Sequence, residues 1–241
     1  IAAIMWIGNS LLWNWIDRNL VARSEGARTQ TPEPVGSIWL LHSGAFYYME
    51  KTLLAGAPFP RPLHWFKWQA YTTWWSGFAL LLTVYWFGGR AALTDASVAA
   101  LTQGNAVALA IGLILASGFA YELAHRAIDP RAPRAATLLW IAGLSAIAGA
   151  FLQYFQARAA FVHVGAMLGT IMAANVVFTI MPAQRELVAL VAAGGSPATA
   201  SAASARAKRV SIDNNYLVFP VIALMLSAHF PALYASPYAG S

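Results

Sequence analysis

The chain contains no cysteine, which excludes a disulfide, a thiolate metal site and a CxxCH haem attachment within these residues. Charge is scarce as well. Asp, Glu, Lys and Arg make up 10% of the 241 residues, against roughly 25% in an ordinary soluble domain. So few charges cannot cover a soluble surface, and lipid is the expected solvent for much of the chain. Walker A, HExxH, nucleophile-elbow and dinucleotide motifs are missing, as are a credible Ser-His-Asp set and a carboxylate pair inside an apolar run. No internal repeat is evident, which weighs against a carrier built from duplicated halves.

What is present is apolar and aromatic: 59% hydrophobic residues and 10 Trp, with a mean hydropathy of +0.56. Runs long enough to cross a bilayer fall at 1–16, 70–88, 104–121, 136–155, 159–181 and 214–235. The chain opens at Ile1 inside such a run, without Met or a basic leader, so this run reads as the remainder of a first helix. The segments after each run carry six, one, three, one, four and zero Lys or Arg. That alternation predicts six spans, with both termini outside and the three basic loops in the cytoplasm. The net charge of +6 is therefore an orientation signal. Without a basic face interleaved with exposed aromatics, it does not indicate nucleic-acid binding.

The expected fold is all-α: a polytopic integral membrane bundle of about six transmembrane helices, the first truncated, forming one domain over 1–241. Residues 194–208, Ala- and Ser-rich, are expected to be a mobile cytoplasmic loop. Residues 37–56 are apolar but interrupted by His42, Glu50 and Lys51, and are expected as an interfacial helix or one buried in the bundle. Gly165, Gly169 and Ala173 form a small-xxx-small ridge on the fifth span, and Ser145 and Gly149 a shorter one on the fourth. Trp65, Trp68, Tyr71, Trp74 and Trp75 crowd the entry to the second span, as a headgroup belt or as the lining of a flat-ligand pocket.

Imidazoles in lipid are costly and need partners. On the expected span limits, His163 lies roughly 6 Å and His229 roughly 9 Å inside the same, outer face at 1.5 Å per residue. Two imidazoles from different helices at one depth suit the axial ligation of haem b, and helix-bound His pairs serve equally as hydrogen-bonded packing. Arg158 would meet a propionate. Met167 and Met225, one turn inward of each His, would pack on the ring or act as weaker ligands. On the cytoplasmic side, His42, His64 and Lys67 are candidates for a polar substrate, with Asn175 on the fifth span. His42 and His64 are also candidates for a second haem. Asn175, Asn214 and Asn215 are expected to make interhelical amide hydrogen bonds. His125 reads as a solvated helix-end residue. A helix stop is expected at Pro182.

The run from His163 through Val176, followed by Pro182, Gln184 and Arg185, resembles membrane-bound urate hydroxylases, the urate oxidase N-terminal domain family. Leu63-His64-Trp65-Phe66-Lys67-Trp68, Asn214-Asn215-Tyr216-Leu217 and Leu226-Ser227-Ala228-His229-Phe230-Pro231 resemble it too, as does Trp6-Ile7-Gly8. The resemblance implies a multi-pass protein of the bacterial inner membrane that oxidises urate to 5-hydroxyisourate. It also implies electron delivery to a c-type cytochrome, a domain that follows the bundle on the periplasmic side in full-length members. With no CxxCH in these residues, the acceptor is expected on a separate chain, on an extension, or not at all. Gln69 stands where the family has Glu, Asp213 where it has His and Ala228 where it has Asn. The competing expectation is a non-catalytic b-type cytochrome or structural subunit of a respiratory or photosynthetic assembly, copurifying with other redox subunits.

Overall fold

A computed structural model describes residues 1–22, 33–54, 62–127, 133–195 and 202–234. Backbone packing divides the chain into two compact units. The first comprises Ile1–Ala70 with Asn175–Asn215, and the second Tyr71–Ala174 with Tyr216–Ser241. Helix dominates both.

The first unit begins with α1 (Ala2–Asn19), which exposes Ile4, Leu11, Leu12, Trp13 and Trp15 and has charges only at Asp17 and Arg18 in its last turn. A β-hairpin follows, β1 (Glu33–His42) and β2 (Ala45–Leu53), paired antiparallel. This replaces the helix expected over 37–56. Ser43 and Gly44 both have positive φ, 52° and 75°, the geometry of a two-residue primed turn that matches strand twist. Alternate residues of both strands are apolar on both faces, so a period of two is hard to see in the sequence, whereas Ile38, Trp39, Tyr47, Tyr48 and Thr52 are strand-favouring residues.

The hairpin is tied to the exit of α1. Val21 and Ser37 exchange backbone bonds of 2.9 and 3.1 Å, and Lys51 Nζ lies 2.8 Å from Asp17 Oδ1. Gly36 sits where a Cβ would come within 2.9 Å of the Val21 carbonyl oxygen and 3.1 Å of Leu20 Cβ, so the close approach depends on glycine.

The second unit holds most of α2 (Lys67–Leu81), which continues through a π-helical segment, Leu82–Trp86. Then come α3 (Arg90–Leu93), α4 (Gln103–Ala127), α5 (Pro133–Tyr154) and α6 (Ala157–Ala174). α4, α5 and α6 pack on one another. Ala106, Ala110 and Ser117 of α4 are fully buried, small residues that let a neighbouring backbone come close. Side-chain amides take up backbone carbonyls of the π segment and of the four-residue α3. Gln103 Nε2 donates to the carbonyls of Tyr85 and Trp86 at 3.3 and 2.9 Å, and Gln156 Nε2 to those of Ala91 and Ala92.

After α6 the helix continues through a π segment, Asn175–Ile180, into α7 (Met181–Ala192). The helix stop expected at Pro182 does not occur. Pro182 stands in the first turn of α7 after the register change of the π segment, where a proline lacks only an N–H that has no standard partner. α8 (Ala202–Ser227) carries Pro220 inside it, and α9 (Pro231–Tyr234) ends the described chain. Of the loop expected over 194–208, residues 202–208 are helical, and 196–201 lie outside the described residues.

Among the described residues, three helices are long and apolar enough to cross a membrane: Gln103–His125, Ala157–Ala192 and Ser204–Ser227. Leu138–Tyr154 is a shorter apolar helix. By length and composition, the described residues thus supply three of the six spans expected. α1 is diluted by Asn9, Ser10 and Asn14, and α2 by Thr72, Thr73, Ser76 and Gly77. The expected ridge is used at Gly165, whose missing Cβ would meet Leu224 Cβ at 3.4 Å.

Candidate functional site

His163 is fully buried on α6. Its Nδ1 donates to the carbonyl of Ala159 one turn back, at 2.7 Å. That assignment makes Nε2 the acceptor, and the indole Nε1–H of Trp86 donates to it at 3.1 Å. Phe155 stacks on the ring at 5.5 Å and 9° between planes, and Tyr85 meets it edge-on at 5.4 Å. The π segment places Tyr85 and Trp86 consecutively on this ring, a local register change of the kind found at specialised sites. Aromatic contact then runs from Trp86 to Phe78 and on to Trp74, whose Nε1 donates to Thr170 Oγ1 at 3.2 Å. Thus part of the aromatic cluster at the second span is a packed chain inside the second unit.

This geometry bears directly on haem. An axial imidazole needs an open Nε2 or Nδ1 lone pair, and in His163 one nitrogen donates while the other accepts from Trp86. His229 is not two turns inside a helix: α8 ends at Ser227, and His229 lies exposed in the turn beyond it. Arg158 is exposed, Met225 is exposed and Met167 is buried. Met167 lines an apolar cavity of about 360 Å³ together with Trp140, Ser145, Tyr216, Pro220 and Leu224. The residues as arranged do not fit an axial haem pair. Among the described residues, no group of three or more His, Cys, Asp or Glu could hold a metal ion.

The polar candidates of the other set all lie in the first unit. His42 ends β1 and is exposed beside the Ser43-Gly44 turn. His64 is exposed and meets Phe66 edge-on at 4.7 Å, and Phe66 in turn meets Trp13 of α1 at 5.9 Å. Lys67 opens α2 with Nζ 5.8 Å from the Trp65 ring centre and 5.4 Å from that of Trp68, within cation–π range. One residue past Trp68, Gln69 Oε1 accepts from Asn9 Nδ2 of α1 at 2.9 Å. Asn175, the first residue of its π segment, donates through Nδ2 to Asn214 Oδ1 of α8 at 2.9 Å. Both amides are buried, and the interhelical amide bond expected from the sequence is present.

The sequence reading missed Trp86, Gln103, Asn9 and Gln156. Trp86 looks like one more membrane aromatic until the π register turns its indole toward His163. The glutamines serve backbone irregularities that no local motif announces.

The family model described as urate oxidase N-terminal matches residues 1–240. The chain belongs to the urate oxidase N-terminal family. No curated protein and no solved structure matches it. In this urate oxidase N-terminal chain, the stretch His163–Val176 carries most of the buried residues of α6 and enters the π segment. Leu63–Trp68 forms the entry to α2, and Leu226–Pro231 the end of α8 and the turn into α9.

Proposed function

We propose that the chain is the membrane part of an oxidoreductase that converts urate to 5-hydroxyisourate. The observation that carries this reading is the family match over residues 1–240. The chemistry of residues 64–69 supports it. Urate is a flat anion bordered by N–H donors and carbonyl acceptors. Lys67 supplies a cation within cation–π range of the rings of Trp65 and Trp68, and aromatic faces, an imidazole at His64 and amides at Gln69 and Asn9 adjoin it in the sequence or through hydrogen bonds.

The reaction takes one urate and one water to one 5-hydroxyisourate, two protons and two electrons. The water oxygen becomes bonded to carbon, and a general base must take its proton. His64 is the side chain of this segment suited to that transfer. Lys67 holds the anion, and the Asn175–Asn214 pair keeps the two helices that bear it in register. The electrons go to a c-type cytochrome or another redox subunit of the bacterial inner membrane. α1, α2 and α5 complete a six-span topology with the C-terminus on the periplasmic side.

The test is urate binding to the detergent-purified chain by equilibrium dialysis, then urate loss with oxidised cytochrome c as acceptor. Binding by the parent, weakened at least tenfold in Lys67→Ala, is the expected result. Loss of one charge-assisted contact of 1.5–3 kcal/mol corresponds to about that factor. A folded parent chain that binds no urate overturns the reading. It would favour a structural subunit instead, the alternative to which the substitutions Gln69, Asp213 and Ala228 point.

A further inference from the structure

We infer that one face of the β1–β2 hairpin lies along the lipid–water interface, with phospholipid as its partner. The register puts Trp39 opposite Tyr48 and Leu41 opposite Phe46, and directly paired residues share a face. All four are exposed, at 67%, 50%, 69% and 75%. Trp39 and Tyr48 touch, with ring centres 4.9 Å apart, so the face is a continuous aromatic and aliphatic patch.

The opposite face is engaged at its root, although Tyr47 near the turn is 50% exposed. Lys51 of that face pairs with Asp17, and Gly36 lies against Leu20 and Val21. Ile38, Leu40 and Met49 are partly covered.

Two requirements decide where the patch can sit. Water is a poor solvent for Trp39, Leu41 and Phe46 together. The hydrocarbon core is equally unsuitable, because a two-stranded sheet has open edges whose N–H and C=O groups would go unbonded there. At headgroup level the edges meet water and phosphate while the rings enter the acyl boundary, the preferred depth of Trp and Tyr. The hairpin is also tethered at that level. Its root is bonded to the end of α1, where exposed Leu12, Trp13 and Trp15 give way to Asp17 and Arg18. The lipid-compatible surface of α1 and the hairpin patch thus adjoin through one fixed root. A second copy adding a strand would pair the hairpin's edge and leave the patch uncovered. This inference does not depend on what the enzyme oxidises.

The absence of cysteine makes the test clean, since each introduced thiol is the only one. Trp39→Cys, Leu41→Cys, Phe46→Cys and Tyr48→Cys, with Leu40→Cys and Tyr47→Cys for the other face, are nitroxide-labelled in the full chain reconstituted into phosphatidylcholine vesicles. Relaxation by oxygen and by a water-soluble nickel chelate is then compared. The expected result is an oxygen-weighted ratio at 39, 41, 46 and 48 and a lower one at 40 and 47, alternating with period two. Nickel access on both faces would place the hairpin in water and overturn the inference. Exclusion of both reagents from 39, 41, 46 and 48 would show a protein partner and overturn it equally. Phe46→Cys, at the most exposed position, keeps the test open if Trp39→Cys fails to fold.

Discussion

Replacing Trp86 by Phe keeps an aromatic ring in the chain from Phe78 to His163 but removes the N–H that Nε2 of His163 accepts. The buried nitrogen is then without a donor, which costs about 1–3 kcal/mol. The double variant Trp86→Phe, His163→Phe removes both polar partners and should recover much of that loss. Thermal unfolding in detergent measures both. A Trp86→Phe protein as stable as the parent would show that the bond contributes nothing. The same logic applies to Asn175 and Asn214, whose amides meet in a buried setting. A double-mutant cycle with alanine should give a coupling of about 0.6 kcal/mol, the average for hydrogen bonds between membrane helices, and at most about 1.7 kcal/mol; zero coupling would contradict the pairing. At this scale the sequence was informative about which polar residues matter and silent about their partners. Asn175 and Asn214 could be expected to pair because amides in an apolar run need one another. His163 could be expected to need a partner, but an iron and an indole satisfy the same lone pair, and no spacing rule separates them.

Elements were legible where a long apolar run coincided with one secondary structure, as in α4 and α6. They were illegible where backbone irregularity decided the outcome. The hairpin is the clearest case: its apolar residues fill both faces, so the period of two disappears, and the signal that remains is Ser43-Gly44 between strand-favouring residues. The π segments are a second case, because nothing local in Leu82–Trp86 or Asn175–Ile180 marks the extra residue per turn. Gly36→Ala tests the hairpin's attachment. Its Cβ would fall 2.9 Å from the Val21 carbonyl oxygen, against backbone that has little room to move. A strain of about 1–3 kcal/mol, the usual cost of overpacking, should loosen the root of the hairpin. Limited proteolysis should then cut between 33 and 53 faster in the variant, with cleavage in α4 to α6 unchanged. Equal rates would mean the root is held by the Lys51–Asp17 pair and strand pairing elsewhere.

For the whole molecule, charge and apolar length give different answers, and the difference is physical. The basic loops alternate as six crossings require, while composition and length qualify three helices among the described residues. Charge asymmetry reports which side a loop occupies and is indifferent to how polar the intervening helix is. Hydropathy counts Trp, Thr and Asn against a span even where they bond within the protein, as Asn9 does to Gln69 and Trp74 to Thr170. In α1 and α2, Asn9 and Trp74 thus have partners on neighbouring elements, as polar groups of a helix packed inside a membrane bundle need, while α5 falls short on length. Six spans predict that Ala193, after α7, and Ser97, between α3 and α4, lie on opposite sides. Both residues are exposed, and the chain has no native thiol to confuse labelling. In intact cells, a membrane-impermeant maleimide should label Ser97→Cys and leave Ala193→Cys untouched until the membrane is opened. Labelling of both from outside would require an even number of crossings between them instead of three, and α5, the shorter apolar helix of the three, would be the span that is lost. That result would leave α4 and the 36-residue helix through α7 as the two crossings that separate these residues.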